Sequence, residues 1–532
     1  MKTIMVLGAG VMQMPALRAA KANGWRTVAV DANPTAVGRT LADRFEVVDL
    51  KDRDGLAALG MRLRGAGGLD GVFTAGTDFS SSVAWVAEHL GLPGISFAAA
   101  MRATDKCLMR AAFEKAGVPS PRFACWTGEG DPLSLLDEEL RFPLVVKPVD
   151  NMGARGVRRV DDRAAFVEAC GAALKLSRSG KVIVEQYIEG PELSLDAIVS
   201  QGSITVCGVA DRHIFFPPSF VEMGHTMPTS LAPEVVRQIE DVFRAGIRAL
   251  GIDNGAAKGD IKLSPRGPMV GEIAARLSGG YMSGWTFPLA SGVEPTVAAL
   301  NIAMGLPPGD LVPRRHRTCA ERALISLPGI VARVDGEGTA RRLPGVEEIF
   351  LRVAPGASVV FPSNNVEKCG NVICVGDDRD EAVSRAAAAL RALTIRLQPM
   401  IERTTRYLFS ETGNDAFDGA ARALDDAIRR MPVYRGDPAS QAADRPVPVD
   451  PLSSNGVSST DWYGTSFDDA ARAALAAGGG TLVESDTRPD FVLGWPFWRA
   501  LRRGSSQGAL YLLDCVREAA RKGSLEEFLA GL

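Results

Sequence analysis

GDIKLSPRGPMVGEIAAR, residues 259–276, places two runs rich in apolar residues around Ser264-Pro265-Arg266-Gly267-Pro268, a turn-forming cluster, and reads as a β-hairpin. Counted from a centre at Arg266, Asp260 and Glu272 are each six residues away, so an undistorted hairpin sets the two carboxylates opposite each other on one face. Like charges facing across a ladder repel. A divalent cation held between them and a set of nucleotide phosphates offsets that repulsion. Arg276 follows Glu272 at even spacing, so a continuing strand aims its guanidinium at the same place, where it can take an anion. The bland alternative is a solvated hairpin with ordinary surface charges, and the acidic pair alone does not separate the two.

Three further stretches lie upstream. Phe142 to Val146 is an apolar strand that ends on Lys147 and runs into Asp150-Asn151-Met152-Gly153-Ala154-Arg155-Gly156. A lysine at a strand end beside a glycine-bearing loop can contact phosphates while loop N–H groups close over them, although a snorkelling lysine has the same pattern. Val184-Glu185-Gln186-Tyr187-Ile188-Glu189-Gly190-Pro191-Glu192 is a strand leaving its sheet into a turn. Extended backbone there can meet an adenine edge and the second acid can reach ribose hydroxyls. At the start of the chain, Gly8-Ala9-Gly10 follows the strand Thr3–Leu7 and precedes a helical stretch and a second strand ending at Asp31, the order of a dinucleotide-binding unit. Gln13 occupies the third glycine position, so the favoured reading is the turn without the cofactor.

The chain has 532 residues, which at about 150 per domain implies three or four domains. We divide it into a Rossmann-like α/β domain over 1–95, an α+β domain over 96–310, a closing α+β subdomain over 311–400, and a mostly helical region over 401–532 with a linker near 435–459. Within this scheme Thr104 caps a helix that Gly117 stops. Lys plus Arg is 60 against 63 for Asp plus Glu, a net charge of −3, so no basic excess draws a nucleic acid. The eight cysteines contain no C-x-x-C pair, which indicates neither a disulfide framework nor a zinc knuckle and suits a cytoplasmic protein. Only four histidines are present, so a metal would rest on carboxylates. No stretch reads as a membrane span.

Together the motifs resemble the ATP-grasp superfamily of ADP-forming carboxylate ligases, which includes biotin carboxylase, carbamoyl phosphate synthetase and the L-amino-acid ligases. The resemblance spans roughly residues 1–400 and rests on Asp105-Lys106 opening a helix that ends in AGVPSP, the FPLVVKP strand, the VEQYIEGPELS hinge and the hairpin ending EIAARLSGG. It implies that Lys106 and Lys147 bind ATP phosphates under the loop at Met152 and Gly153. Glu185, Tyr187 and Ile188 would line the adenine, and Glu192 the ribose. Asp260 and Glu272 would hold Mg²⁺, with Mn²⁺ as an alternative, and Arg276 would stabilise an acyl phosphate. Many members carry Asn two residues after the metal glutamate, where this chain has Ala274, which leaves one metal or two open.

The implied chemistry is attack of a substrate carboxylate on the γ-phosphate of ATP, then of an amine on the acyl phosphate, with catalysis by positioning and charge neutralisation. Glu222, His225, Ser278 and Gly279 are candidate neighbours of the acceptor, since an acid or imidazole could take a proton from an attacking ammonium. Two alternatives stand beside this ligase: a bicarbonate-using carboxylase or carbamoylating enzyme, and a non-catalytic ATP-binding regulatory protein. Expected partners are a small carboxylate and an amine, with a homodimer and a protein docked through 401–532 left open. In that last region Trp462, Trp495 and Trp498 lie near Arg499, Arg502 and Arg503. Such a cluster can be a binding hot spot, but the core of a small helical domain is the favoured reading.

Overall fold

The computed structural model describes residues 1–410, 460–478 and 495–532, and the linker expected near 435–459 lies outside them. The chain divides into two compact units, one from Met1–Glu321 with Ile373–Val383 and the other from Arg322–Val372 with Ser384–Leu532. The architecture is mixed: α/β at the start of the chain, α+β after it, and helical toward the C-terminus.

The first unit opens with β1 (Thr3–Leu7), α1 (Met14–Ala22), β2 (Arg26–Asp31), β3 (Arg44–Val47), α2 (Arg53–Gly65), β4 (Gly71–Phe73) and α3 (Ser80–His89). The strands form a parallel sheet in the order β3-β2-β1-β4. All five residues of β1 are buried, which is why it reads as a continuous apolar run rather than an alternating one.

Two helices follow, α4 (Phe97–Thr104) and α5 (Lys106–Ala116), and the expected helix start is corrected. Thr104 ends α4 with its hydroxyl bonded back to the Ala100 carbonyl, 2.8 Å. The cap of α5 is Asp105, whose carboxylate accepts from the N–H groups of Cys107 and Leu108 at 2.9 and 3.0 Å, two of the donors a helix start leaves without partners. This cap sets Lys106 at the first turn. Gly117, at φ +68, closes the helix as expected.

Next come β5 (Phe123–Trp126), β6 (Leu144–Pro148), β7 (Arg158–Val160), α6 (Arg163–Leu176) and β8 (Val182–Gln186), with an antiparallel sheet ordered β5-β8-β6-β7. They are followed by β9 (Glu192–Ser200), β10 (Ser203–Phe215), β11 (Val221–Met227), α7 (Pro233–Leu250), β12 (Gly255–Ser264) and β13 (Gly267–Ala274). These five strands form an antiparallel run in the order β13-β12-β9-β10-β11. Helix α7 buries Ile239, Phe243, Ile247 and Leu250, one stripe at helical spacing. That stripe meets Leu193, Leu195, Ile261, Val270 and Ile273 in a shared core. Each such side chain contributes about 1.5–3 kcal/mol by leaving water, and the opposite face of the same sheet carries Glu192, Ser194, Asp196, Lys258, Asp260 and Lys262 beside small and apolar residues.

The cysteine expectation is also corrected. Cys107 in the first turn of α5 and Cys125 on β5 are joined by a disulfide, with Cα atoms 6.3 Å apart. They lie 18 residues apart, so only the packing of the helix on the strand brings them together. The other six cysteines are buried.

In the second unit, strands Gly329–Asp335, Ser358–Val359 and Thr394–Leu397 pair antiparallel. Helices Glu402–Phe409, Phe467–Gly478 and Trp495–Lys522 follow them. Trp498 is fully buried and Arg499 nearly so. Arg499 and Arg503 donate to the Ser410 carbonyl at 3.3 and 2.8 Å, capping a helix end with positive charge. Trp498 and Arg499 of the aromatic and arginine cluster are therefore interior packing. Among the described residues no helix is long and apolar enough to cross a membrane.

Candidate nucleotide and metal site

The hairpin pairs Asp260 with Glu272, as the spacing predicts, but by a different route. Ser264 pairs with Gly267, so the turn holds two residues and its centre falls before Arg266. An undistorted ladder from that turn would match Asp260 with Gly271. A bulge there shifts the register by one and restores the pairing with Glu272. Directly opposed residues share a face, and the registers of β13, β12, β9 and β10 assemble a charged surface. Lys258, Asp260 and Lys262 of β12 stand opposite Asp196, Ser194 and Glu192 of β9, and Arg212 of β10 stands opposite Glu192.

The charges on this surface are paired. Arg212 donates to Glu192 at 3.0 Å and to Glu222 at 2.9 Å, and lies 3.3 Å from Asp260. Lys258 contacts Asp260, and Ser194 donates to the other Asp260 oxygen at 3.2 Å. Burial works to raise the pKa of Asp260, but Arg212 and Lys258 outweigh it and hold the carboxyl below its usual range. Burial likewise opposes ionisation of Glu272, and Lys106 and Lys258 reverse the balance. The surrounding lysines and Arg212 thus favour the charged form of both carboxylates. Among the described residues no three Asp, Glu, His or Cys side chains gather as a metal cage. Two carboxylates with phosphate oxygens nevertheless suit Mg²⁺, which commonly takes one or two protein carboxylates beside a nucleotide.

Lys106 is buried and donates to the Asn151 carbonyl at 2.8 Å, with Glu272 at 3.7 Å. Lys147, at the end of β6, bonds Glu185 at 2.5 Å, and Arg110 of α5 bonds the other Glu185 oxygen at 2.7 Å. Burial would raise the pKa of Glu185, but Arg110 and Lys147 bring it down to about 2. Both Glu185 carboxylate oxygens thus hold basic side chains, and the adenine-edge contact expected of this strand is one of its extended backbone. Past Gln186 the chain leaves the sheet. Arg159 and Lys262 both lie over the Tyr187 ring there, 4.6 and 4.5 Å from its centroid, and Lys262 also bonds the Ile188 carbonyl at 2.8 Å and Glu192 at 3.2 Å.

The glycine-bearing loop reaches the same place. Gly153 adopts φ +68, and Arg155 donates to the Met152 carbonyl at 2.9 Å. The Met152 sulfur lies 3.7 Å from Arg276. Strand β13 ends at Ala274, so the premise of a strand continuing to Arg276 is corrected: the arginine sits on a bend, 8% exposed, bonding the Thr77 and Leu277 carbonyls. Asp78, next to Thr77, receives Arg155 at 2.8 Å and Arg178 at 2.7 Å, which docks the loop on the first domain.

The acceptor candidates also converge. His225 meets Glu321 at 3.0 Å through Nδ1, and its Nε2 lies 3.6 Å from Glu222. Gly280 packs so closely that a Cβ there would stand 3.0 Å from both Glu222 and His225. Ser278 is fixed from beneath by Asp196, through its N–H at 2.9 Å and its hydroxyl at 2.6 Å. Burial pushes the Asp196 pKa up to about 6 against the pull of these bonds and of Lys258 and Arg276.

Comparison with known proteins matches this region. Residues 140–284 fit the model of the ATP-grasp domain. The chain carries an ATP-grasp domain. Residues 322–398 fit the L-amino acid ligase C-terminal domain 2. The chain is 27% identical to carnosine synthase 1 of Homo sapiens over 425 residues, covering 74% of this chain and 51% of that protein. It is 30% identical to a D-alanine--D-alanine ligase of a Synechococcus strain over 220 residues, 40% of this chain and 63% of that one. It thus spans about half to two-thirds of these relatives' lengths. The crystal structure of an L-amino acid ligase from Bacillus licheniformis superposes with TM-score 0.65 at 22% identity, covering 75% of this chain and 99% of that chain, a likeness of fold.

The site gathers residues that the sequence reading did not single out: Asp78, Arg110, Asp196, Arg212, Lys258, Lys262 and Glu321. Lys258 and Lys262 were accessible, since they alternate with Asp260 along one strand. The others come from distant segments and carry no local pattern. Outside the ATP-grasp domain, the first glycine turn is filled by its own side chains. Ala9 N–H donates to Asp31 at 2.8 Å and Gly10 N–H to Gln13 at 2.9 Å, while the Gln13 amide bonds the Ala75 carbonyl. These are the donors a pyrophosphate would need, so the turn is a structural joint.

Proposed function

We propose that this chain is an ATP-dependent, ADP-forming ligase that activates a small carboxylate, an amino acid among the candidates, as an acyl phosphate and joins it to an amine. The observation that carries this reading is the register pairing of Asp260 with Glu272, with Lys106 of α5 3.7 Å from Glu272 and Lys147 at the end of β6. Asp260 and Glu272 would hold Mg²⁺, which when bound offsets charge on the phosphates. Lys106 and Lys147 take phosphate oxygens, and Glu185, itself held by Arg110, orients Lys147. The loop at Met152 and Gly153 closes over the phosphates and excludes water from the activated acyl group. Tyr187 and Ile188 line the adenine, and Glu192 meets the ribose.

Arg276 lies against the Met152 end of that loop and beside the turn carrying Ser278 and Gly279, where it would steady charge on a carboxylate or acyl phosphate. Glu222 and His225 stand on the far side of the turn, against Gly280, and receive the acceptor, with the imidazole or carboxylate taking the ammonium proton. The test is ADP and phosphate release from purified protein with Mg-ATP across a matrix of amino acids, small carboxylates, amines and bicarbonate. ADP formation requiring one carboxylate and one amine supports the ligase. Release driven by bicarbonate alone overturns it in favour of a carboxylase, and bound nucleotide without turnover in any mixture overturns it in favour of a regulatory protein.

A further inference from the structure

The departure at Ala274 has a counterpart on the next strand. Lys258 of β12 pairs with Ala274 of β13 on one side and with Asp196 of β9 on the other. Since opposed residues share a face, a longer polar side chain at 274 would extend over the place where the Lys258 stem rises. Ala274 is buried and contributes only a methyl group. The Lys258 side chain is 14% exposed and its ammonium contacts the Asp260 carboxylate. Across the ladder Lys258 stands opposite Asp196, so this one cation rises between strands β13, β12 and β9.

We propose that this site holds a single divalent cation, between Asp260 and Glu272, and that the Lys258 ammonium supplies the charge neutralisation a second cation would bring. The proposal rests on the nucleotide-binding part of the reading above and on nothing about the carboxylate or the amine. Ala274 offers no oxygen to hold a second dication, and with the Lys258 ammonium against Asp260 the two carboxylates and one dication already balance in charge. Arg212, 3.3 Å from Asp260, strengthens the same effect from the other side. A lysine is suited to the task because its charge is compact and its stem is flexible enough to keep contact as phosphates enter.

The experiment counts metal rather than turnover. Full-length protein saturated with a non-hydrolysable ATP analogue is titrated with Mn²⁺, and protein-bound Mn²⁺ is read by paramagnetic resonance. One Mn²⁺ per chain is expected, and two would overturn the proposal while leaving the nucleotide site standing. No retention of the analogue would overturn the nucleotide reading, and this proposal with it. In the double variant Lys258→Gln, Ala274→Asn, checked by its melting curve, the count is expected to rise to two; a folded variant that stays at one removes the role given to Lys258. Should that variant fail to fold, the wild-type count still decides the number of cations.

Discussion

Two glycine turns follow two strands in the first unit, and their neighbours give them opposite fates. At Gly8-Ala9-Gly10 the backbone donors are taken by Asp31 and Gln13, and Gln13 reaches on to the Ala75 carbonyl. At Asn151 to Gly156 the loop is tied to groups beyond it instead. Lys106 grips the Asn151 carbonyl from below, and Arg155 and Arg178 lean on Asp78. The first turn binds itself and joins helix to sheet, whereas the second is held in place by groups on other elements. A glycine turn is a means of bringing backbone close to something, and the surrounding side chains decide whether that something is the protein or a ligand.

The largest expected effect lies beside the second turn. Glu272→Ala removes one of the two paired carboxylates and leaves Lys106 with the Asn151 carbonyl alone. ADP formation should fall on the order of 10³-fold, the scale seen when a charge-stabilising group is lost from a transition state. Turnover near that of the wild type would remove the metal assignment.

A smaller and more discriminating effect comes from the glycines themselves. Gly153 and Gly8 both have positive φ, +68 and +98, which a β-branched residue adopts only with strain. Gly153→Val should weaken binding of an ATP analogue by roughly tenfold, as about 1.4 kcal/mol of strain in the loop would do. Its melting temperature should change little, because the loop is peripheral to the core. In Gly8→Val the new Cβ would also press on the Gln13 side chain, 2.9 Å away, so stability is lost and analogue affinity per folded molecule is kept. The reverse pattern in calorimetry and melting would break the contrast between the turns.

Much of this was legible in the sequence because it is local. β1 stands where its apolar run, Thr3–Leu7, places it, and Gly117 stops α5 where the sequence puts the stop. The hairpin arithmetic found the Asp260–Glu272 pair through two compensating departures, a shorter turn and a bulge at Gly271. A centre chosen one position away would have missed it. Arg212 and Glu321 escaped because strand register between distant segments is set by which face is buried, and no spacing within either segment reveals that. Cys107 and Cys125 escaped for the same reason, since the contact between α5 and β5 is tertiary.

Asp196 supplies a pH test of the acceptor side. With its pKa pushed up to about 6 by burial, the folded protein holds its proton below that pH, while an unfolded aspartate releases it above about 4. Between these values the folded state binds more protons, so stability rises as pH falls, by up to about 3 kcal/mol. Asp196→Asn should flatten this segment of the pH–stability curve. Glu185 acts in the opposite sense, since its depressed value stabilises the fold above the ordinary glutamate range, and that stability is lost as pH falls toward about 2. An unchanged slope between pH 4 and 6 in Asp196→Asn would show that Ser278 rests on a charged carboxylate at all these pH values.

The smallest effect is expected at the first turn and is the sharpest check on the comparison. Gln13→Ala strips the Gly10 N–H and the Ala75 carbonyl of their side-chain partner in a place where Gln13 is 2% exposed. Leaving buried polar groups without partners costs about 1–3 kcal/mol, which would appear as a lowered denaturant midpoint with an unchanged slope. Affinity for an ATP analogue should stay at the wild-type value, because Gln13 contacts neither Lys106 nor the loop at Met152. A Gln13→Ala protein that keeps its stability but loses nucleotide would mean that the first turn, too, reaches the ligand, and that the difference between the two turns is one of degree.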